Sequence, residues 1–389
     1  MLYETRPILC WVLLLTASSC EAGQVWPLPH QDPIELESSD FEGIRGNDRI
    51  TKIVLPSLRI TKPIAESLAS LSRLDELQMP SASFDDGAWS LLANYGKLRI
   101  LNIDSAQLSD FELSELKGPS LEYVIASNSE ASAHFMKSLT GCPRLISLDV
   151  SGTQISDRDI VMLNALKNLT YLDISETSIT DVGLALGLPN VISRAKKLDA
   201  FATHAGDRFA KIALQQRSLS VIGFGDETTD AAFAEVHNNA INELRVSSQK
   251  ITDVGVGRIC GCKTLSCLAL TSKQITPKSL VGVATLPRLR RLKMRIANLD
   301  ENGLAAMSAC RWLEDLDLSD SPINDEDIDD IITLPSLKRL VLDGTDITDD
   351  GLRKCLKCRT LQAISANRTA VSTSVVNSVR SDLMGRIGR

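Results

Sequence analysis

Residues 337–352 read LKRLVLDGTDITDDGL, and the two halves of this stretch obey different periodicities. In the first half Leu340 and Leu342 alternate with Val341, so the leucines face one way and the valine the other, as a short strand requires. In the second half Thr348 stands where a hydroxyl caps a helix, with Asp349 and Asp350 in the positive first turn. Working outward, the same phrase recurs as Leu313, Leu316 and Leu318, and as Leu289, Leu292 and Met294. Carried along the chain, the first apolar position falls at Ile50, Leu74, Leu98, Leu121, Leu145, Leu169, Leu198, Leu219, Ile241, Leu265, Leu289, Leu313, Leu337 and Leu361, fourteen units mostly 24 residues apart. Helix starts repeat at Ser156-Asp157, Thr180-Asp181, Thr252-Asp253 and Asn324-Asp325, and Thr276-Pro277 puts proline where its missing N–H costs least. Pro189, Pro287 and Pro335 bias the residues before them away from helix.

No such unit buries its apolar face alone, so the units must stack, strands beside strands and helices beside helices. The expected fold is an α/β solenoid, a horseshoe with parallel strands on the concave face and helices on the convex one. With strands about 4.8 Å apart, that face extends roughly 60 Å, enough for a protein interface.

Composition narrows what such a scaffold does. The 389 residues are 43% hydrophobic and only 4% aromatic, so Leu and Ile carry the core. A net charge of -7 argues against nucleic acid, which needs an excess of Lys and Arg. Residues 1–23 predict an export signal, with Arg6, an apolar run from Ile8 to Leu15 and the small residues Thr16 to Ser19. Cleavage after Ala22 is expected, with lipidation of Cys20 as the weaker alternative. No later stretch is apolar enough to span a bilayer. Residues 24–49, with Pro27, Pro29 and Pro33, predict a linker and N-terminal cap; residues 50–371 hold the repeats, and residues 372–389 a capping helix from about Val375 to Met384.

Over residues 50–371 the chain resembles the leucine-rich-repeat family, and within it the cysteine-containing type, whose repeat carries Ile-Thr-Asp and closes on a Cys. That Cys is present at Cys142, Cys262, Cys310 and Cys358, while the family's earlier Cys is replaced by Thr153, Thr177, Ser321, Thr345 or Thr369. Similar Thr-bearing repeats occur in exported bacterial proteins, whereas the cysteine form is best known from ubiquitin-ligase receptors. The resemblance therefore implies either an exported protein-binding module or an intracellular substrate adaptor. Against the adaptor, the N-terminal segment is too short for an F-box domain.

Nothing outside the repeat pattern predicts an enzyme or a cofactor. His30, His134, His204 and His237 lack ligand spacing, and Cys260-Gly261-Cys262 and Cys355-Leu356-Lys357-Cys358 are read as buried thiols rather than a metal or redox site. Between residues 181 and 240 the unit lengths falter, with steps of 29, 21 and 22 residues around Leu198 and Leu219. The expected working surface is the outward strand row. Its acidic part holds Asp104, Asp149, Tyr171, Asp173 and Glu176, suited to a basic partner, and Arg245, Lys293, Arg295 and Asp317 follow. In the later units Arg290 falls beside Glu314 and Lys338, and Arg291 beside Asp315 and Arg339, so neighbouring strands are expected to neutralise one another. The function expected is partner binding, to a protein or peptide whose identity is unknown, in an extracytoplasmic compartment. A cell-wall polysaccharide is the remaining alternative.

Overall fold

The computed structural model describes residues 41–186, 188–236, 240–297, 299 and 304–387, so the expected signal, the Cys20 anchor and most of the linker lie outside the described residues, as do His30 and His237. The chain divides into two compact units, Met1–Leu172 and Asp173–Arg389. In the first, strands Lys52–Val54, Glu76–Gln78, Ile100–Asn102, Tyr123–Ile125 and Ser147–Asp149 pair in parallel, each with one residue buried between two that are partly open. In the second, parallel strands run from Lys197–Asp199 to Ala363–Ser365, with Leu198, Ile222, Leu244, Leu268, Leu292, Leu316, Leu340 and Ile364 in one register row. Helical segments follow the strands, and each unit is an α/β repeat solenoid with its core between the strand and helix layers.

The irregular stretch resolves differently from its expected phase. Leu198 pairs with Ile222, the second apolar position of its unit, which makes the fully buried Ala195 the first. Leu198 is thus displaced by three residues as a repeat start. A small residue there carries too little apolar signal to mark the phase, and the nearest leucine substitutes for it.

Two local devices explain why Thr and Asp recur. In the turn after a strand a threonine hydroxyl donates to the carbonyl three residues back: Thr153 to Val150 at 2.6 Å, Thr177 to Ile174 at 2.6 Å and Thr345 to Leu342 at 2.6 Å. A buried strand-end carbonyl is thereby satisfied, which a thiol would do weakly. The turn just before it needs a left-handed residue, taken by Gly152 and Gly344 and, at a steric cost, by Glu176 and Asp320.

The aspartates at the helix starts do more than complement their own helix dipole: each accepts from the helix start of the next repeat. Asp230 takes the Thr252 N–H at 2.9 Å and its hydroxyl at 2.6 Å, Asp253 does the same to Thr276, and Asp325 to Thr348. Gly255 and Gly351 belong to this device. A methyl group on Gly351 would stand 2.0 Å from Asp325 Oδ1, and one on Gly255 2.1 Å from Asp230 Oδ1. The phrase Ile-Thr-Asp-x-Gly is therefore an inter-repeat clasp.

These hydrogen bonds hold carboxyls in the charged form. Four of them, from Phe135, from the Ser132 hydroxyl and amide and from His134, outweigh burial and bring Asp110 down to about 2; Asp325 and Asp349 are also lowered. A depressed folded value means stability that is full above the unfolded value near 4 and lost as pH falls toward the folded one. Thermal unfolding followed by circular dichroism is expected to show a midpoint that drops steadily from pH 4.5 to pH 2; a midpoint constant over that window would show that the clasps contribute nothing.

Candidate partner-binding face

In the first unit the strand row exposes side chains of mixed character. Tyr123 is 38% exposed, and Ile100, Ile125 and Tyr171 are partly open on the same kind of strand position. Of the expected acidic residues, Asp149 ends a strand here, while Asp104 falls in the turn two residues after strand Ile100–Asn102 rather than on the strand row. Asp104 accepts from the Ser127 hydroxyl at 2.6 Å and from the Asn128 amide at 3.1 Å. Asp149 accepts from the Ser151 amide and hydroxyl, closing a turn at the strand end. The Asp104 carboxylate thus ties its turn to the next repeat, and that of Asp149 orders its own. Ile100, Ile125 and Tyr123 were not legible as surface residues, because apolar side chains in a strand read as core.

In the second unit the expected residues do not form one patch of like charge. Asp173 accepts from Ser175 and receives Lys197 Nζ at 3.0 Å, and Asp317 accepts from Ser319 and pairs with Lys293 at 3.3 Å. Glu176 stands in the left-handed turn with φ 57°, off the strand, exposed. Arg295 follows the last residue of strand Arg291–Met294 and is half-buried.

Arg245 is the best anchored of the set. Its Nη1 donates to Asp199 Oδ2 at 2.7 Å, two strands away, while its Nε pairs with Glu243 at 3.2 Å. The strand between contributes Gly223, in register with both Asp199 and Arg245, and a methyl group there would come within 1.9 Å of Asp199 Oδ1. Asp199 has no exposed side-chain surface. Its burial and the nearby Asp173 push its carboxyl above the usual range, against the pull of Arg245 and Lys197. Asp199 was missed in the sequence because the displaced repeat start hid its strand position.

Arg245 and Glu243 form one wall of a depression of about 370 Å³, whose floor is the small pair Cys267 and Ala269 and whose other wall is Arg291 and Lys293. Arg291 sits in register with Asp315, yet its guanidinium crosses Cys267 to reach Glu243 at 3.2 Å. Arg339 takes Asp315 instead, at 2.7 Å. Glu314 does receive both Arg290 and Lys338. The later strands are charged and largely self-neutralised.

No group of three or more His, Cys, Asp or Glu that could hold a metal occurs among the described residues. Burial pushes the thiols of Cys260, Cys262, Cys267 and Cys310 up to about 11 and that of Cys355 to about 12, so at neutral pH they are protonated and poorly nucleophilic.

Residues 165–186, 309–331 and 333–354 match the model of the Leucine Rich repeat. The chain carries leucine-rich repeats. Among solved structures, this leucine-rich-repeat chain is similar to an internalin, inlF, of Listeria monocytogenes, with a TM-score of 0.53 and 19% identity over 85% of this chain and 88% of that one. An LRR protein of Leptospira interrogans aligns over 92% of this chain and 99% of its own, at 16% identity and a TM-score of 0.43. None of the curated protein sequences matches the chain. The internalin likeness, at its low identity, speaks for the fold. Leucine-rich-repeat folds are interaction scaffolds, with specificity set by interchangeable surface residues.

Proposed function

We propose that this leucine-rich-repeat protein is an exported, non-catalytic binding module that holds a protein or peptide against its strand face. The observation that carries the reading is the set Tyr123, Tyr171, Ile100 and Ile125, partly open on strands beside Asp104 and Asp149. Tyrosine with apolar neighbours and a rim of charge is the composition of interface hot spots, and the carboxylates favour a basic partner. Export rests on the apolar run from Ile8 to Leu15 behind Arg6; no helix among the described residues is long and apolar enough to cross a membrane.

Immobilised mature chain is expected to retain a discrete protein from cell-surface or secreted extract, with Tyr123→Ala weakening capture about 10- to 100-fold, the range of a hot-spot truncation. Asp149→Arg with Asp173→Arg is expected to abolish it, whereas Arg208→Gln on the helix side leaves it intact. Equal capture by all three variants would remove the strand face from the function.

A second reading, an intracellular substrate-recognition adaptor, is favoured by one observation: the seven cysteines among the described residues are unbonded thiols, six of them buried. N-terminal sequencing of the protein from its source separates the two, a start near Gly23 supporting export and an intact Met1 the adaptor.

A further inference from the structure

The turns that lead into the strands of the second unit carry a different electrostatic pattern from the strands themselves. Four of five consecutive repeats present an exposed cation there, Lys263, Arg288, Arg311 and Arg359, and the strand starts add Arg290 and Lys338. The turns stack directly, since Lys263 Nζ reaches the Thr285 hydroxyl at 2.9 Å and the Ser336 hydroxyl donates to the Arg311 carbonyl at 2.8 Å. The strand starts continue the row, with Glu314 N–H on Arg290 O and Lys338 N–H on Glu314 O. On the strands Arg245, Arg291 and Arg339 each have a carboxylate. On this edge Glu314 alone faces the cations, taking Arg290 and Lys338, and no ion pair joins Lys263, Arg288, Arg311 or Arg359 to an acid among the described residues.

A chain of net charge -7 that gathers six exposed cations around the one carboxylate of Glu314 on this edge concentrates positive potential there. The cations recur at the strand spacing, so the row spans roughly 20 Å in steps of about 5 Å. Within it stands Trp312, 59% exposed. A single aromatic ring is too few to stack successive bases, which disfavours single-stranded nucleic acid.

We infer that this edge is a second binding surface, separate from the strand face, and that its ligand is a linear anionic polysaccharide. Acidic groups along the sugar chain lie against successive repeats and release counterions, while one sugar ring packs on Trp312. The contact is Coulombic and therefore salt-dependent.

Heparin is the probe, with neutral dextran, oligothymidylate and N-acetylated poly-L-glutamate as comparisons, measured on the full mature chain at 50 mM salt. The wild type is expected to bind heparin and not dextran, with affinity falling steeply on going to 300 mM salt. Arg288→Gln, Arg311→Gln and Arg359→Gln combined is expected to weaken heparin binding at least tenfold without moving the unfolding midpoint, since these side chains hold nothing in place. The same loss of charge on the helix side, Arg208→Gln, Lys211→Gln and Lys278→Gln, is expected to leave it unchanged. Trp312→Ala should weaken heparin several-fold and poly-L-glutamate not at all. Absence of heparin binding, equal weakening by both triple variants, or tighter binding of oligothymidylate or poly-L-glutamate than of heparin would each overturn the assignment. None of these outcomes touches Tyr123 or Asp149, so the strand-face reading stands or falls separately.

Discussion

Arg245→Met is expected to destabilise the second unit by about 3–5 kcal/mol at pH 7, the range for removing one partner of a buried ion pair. The loss arises on the carboxylate side, because Asp199 is sealed from solvent while the Arg245 side chain is 41% exposed. With its guanidinium gone, Asp199 keeps only Lys197 as a nearby cation, and its carboxyl, already raised, rises further. The pH dependence then has a definite sign. A folded value above the unfolded one makes the native state bind the extra proton, so the variant is more stable near pH 4.5 and loses stability as pH rises through the folded value. Denaturant unfolding at several pH values checks this. A penalty that is constant from pH 4.5 to 7.5 would mean that Asp199 is not the group responsible. Adding Asp199→Asn to Arg245→Met is expected to recover most of the loss, since no uncompensated charge then remains buried.

Asp110→Ala is expected to cost about 2–4 kcal/mol in the first unit, from several charge-assisted hydrogen bonds at net values of about 1 kcal/mol or more each. Asp110 Oδ1 accepts from Ser132 N–H at 2.7 Å and Phe135 N–H at 3.0 Å, and Oδ2 from His134 N–H at 3.0 Å. Without the carboxylate the next helix, Ala133–Ser138, loses its cap, because Ser132 makes no side-chain capping bond of its own. Hydrogen exchange should localise the damage, with amides of 132–136 losing protection first. Asp110→Asn keeps one acceptor oxygen and is expected to fall between. A broad loss of protection across the unit, with no emphasis on 132–136, would refute the local account.

The repeat architecture was legible because Leu340 and Leu342, and their counterparts, repeat at one period while Thr348 and Asp349 mark each helix start. Failure was confined to places where a side chain's role depends on a different repeat. Asp349 reads as a dipole partner of its own helix, but its bonds to Ser372 at 2.7 and 2.9 Å are visible only once the repeats are stacked. Gly223 sits in a strand and leaves the opening through which Arg245 meets Asp199, a role set by two other repeats. Arg291 is aligned with Asp315 and pairs with Glu243, because the small Cys267 lets a long side chain reach the other way. Of the expected binding residues, Asp149 lies on one unit's strand face and Lys293 and Asp317 on the other's, whereas Asp104 and Glu176 fall in turns beyond their strands, Glu176 with a left-handed backbone angle. The apolar strand-face residues escaped notice for the opposite reason: in a sequence dominated by buried Leu and Ile, a half-buried Ile125 carries no mark.

The clasp from each aspartate to the following helix gives the solenoid a direction. A helix start at Thr252, Thr276 or Thr348 is completed by the repeat before it, never by the one after. During synthesis the amino-terminal repeat emerges first, so a newly exposed helix of this clasped kind meets an acceptor already in place. Growth at the carboxyl end is templated, while a repeat removed from the amino end leaves its successor's amides bare. Shortened versions of this protein should accordingly tolerate trimming from one terminus far better than from the other, and a grafted repeat joins cleanly only when the aspartate upstream and the Thr-x-x-Gly downstream are transferred together.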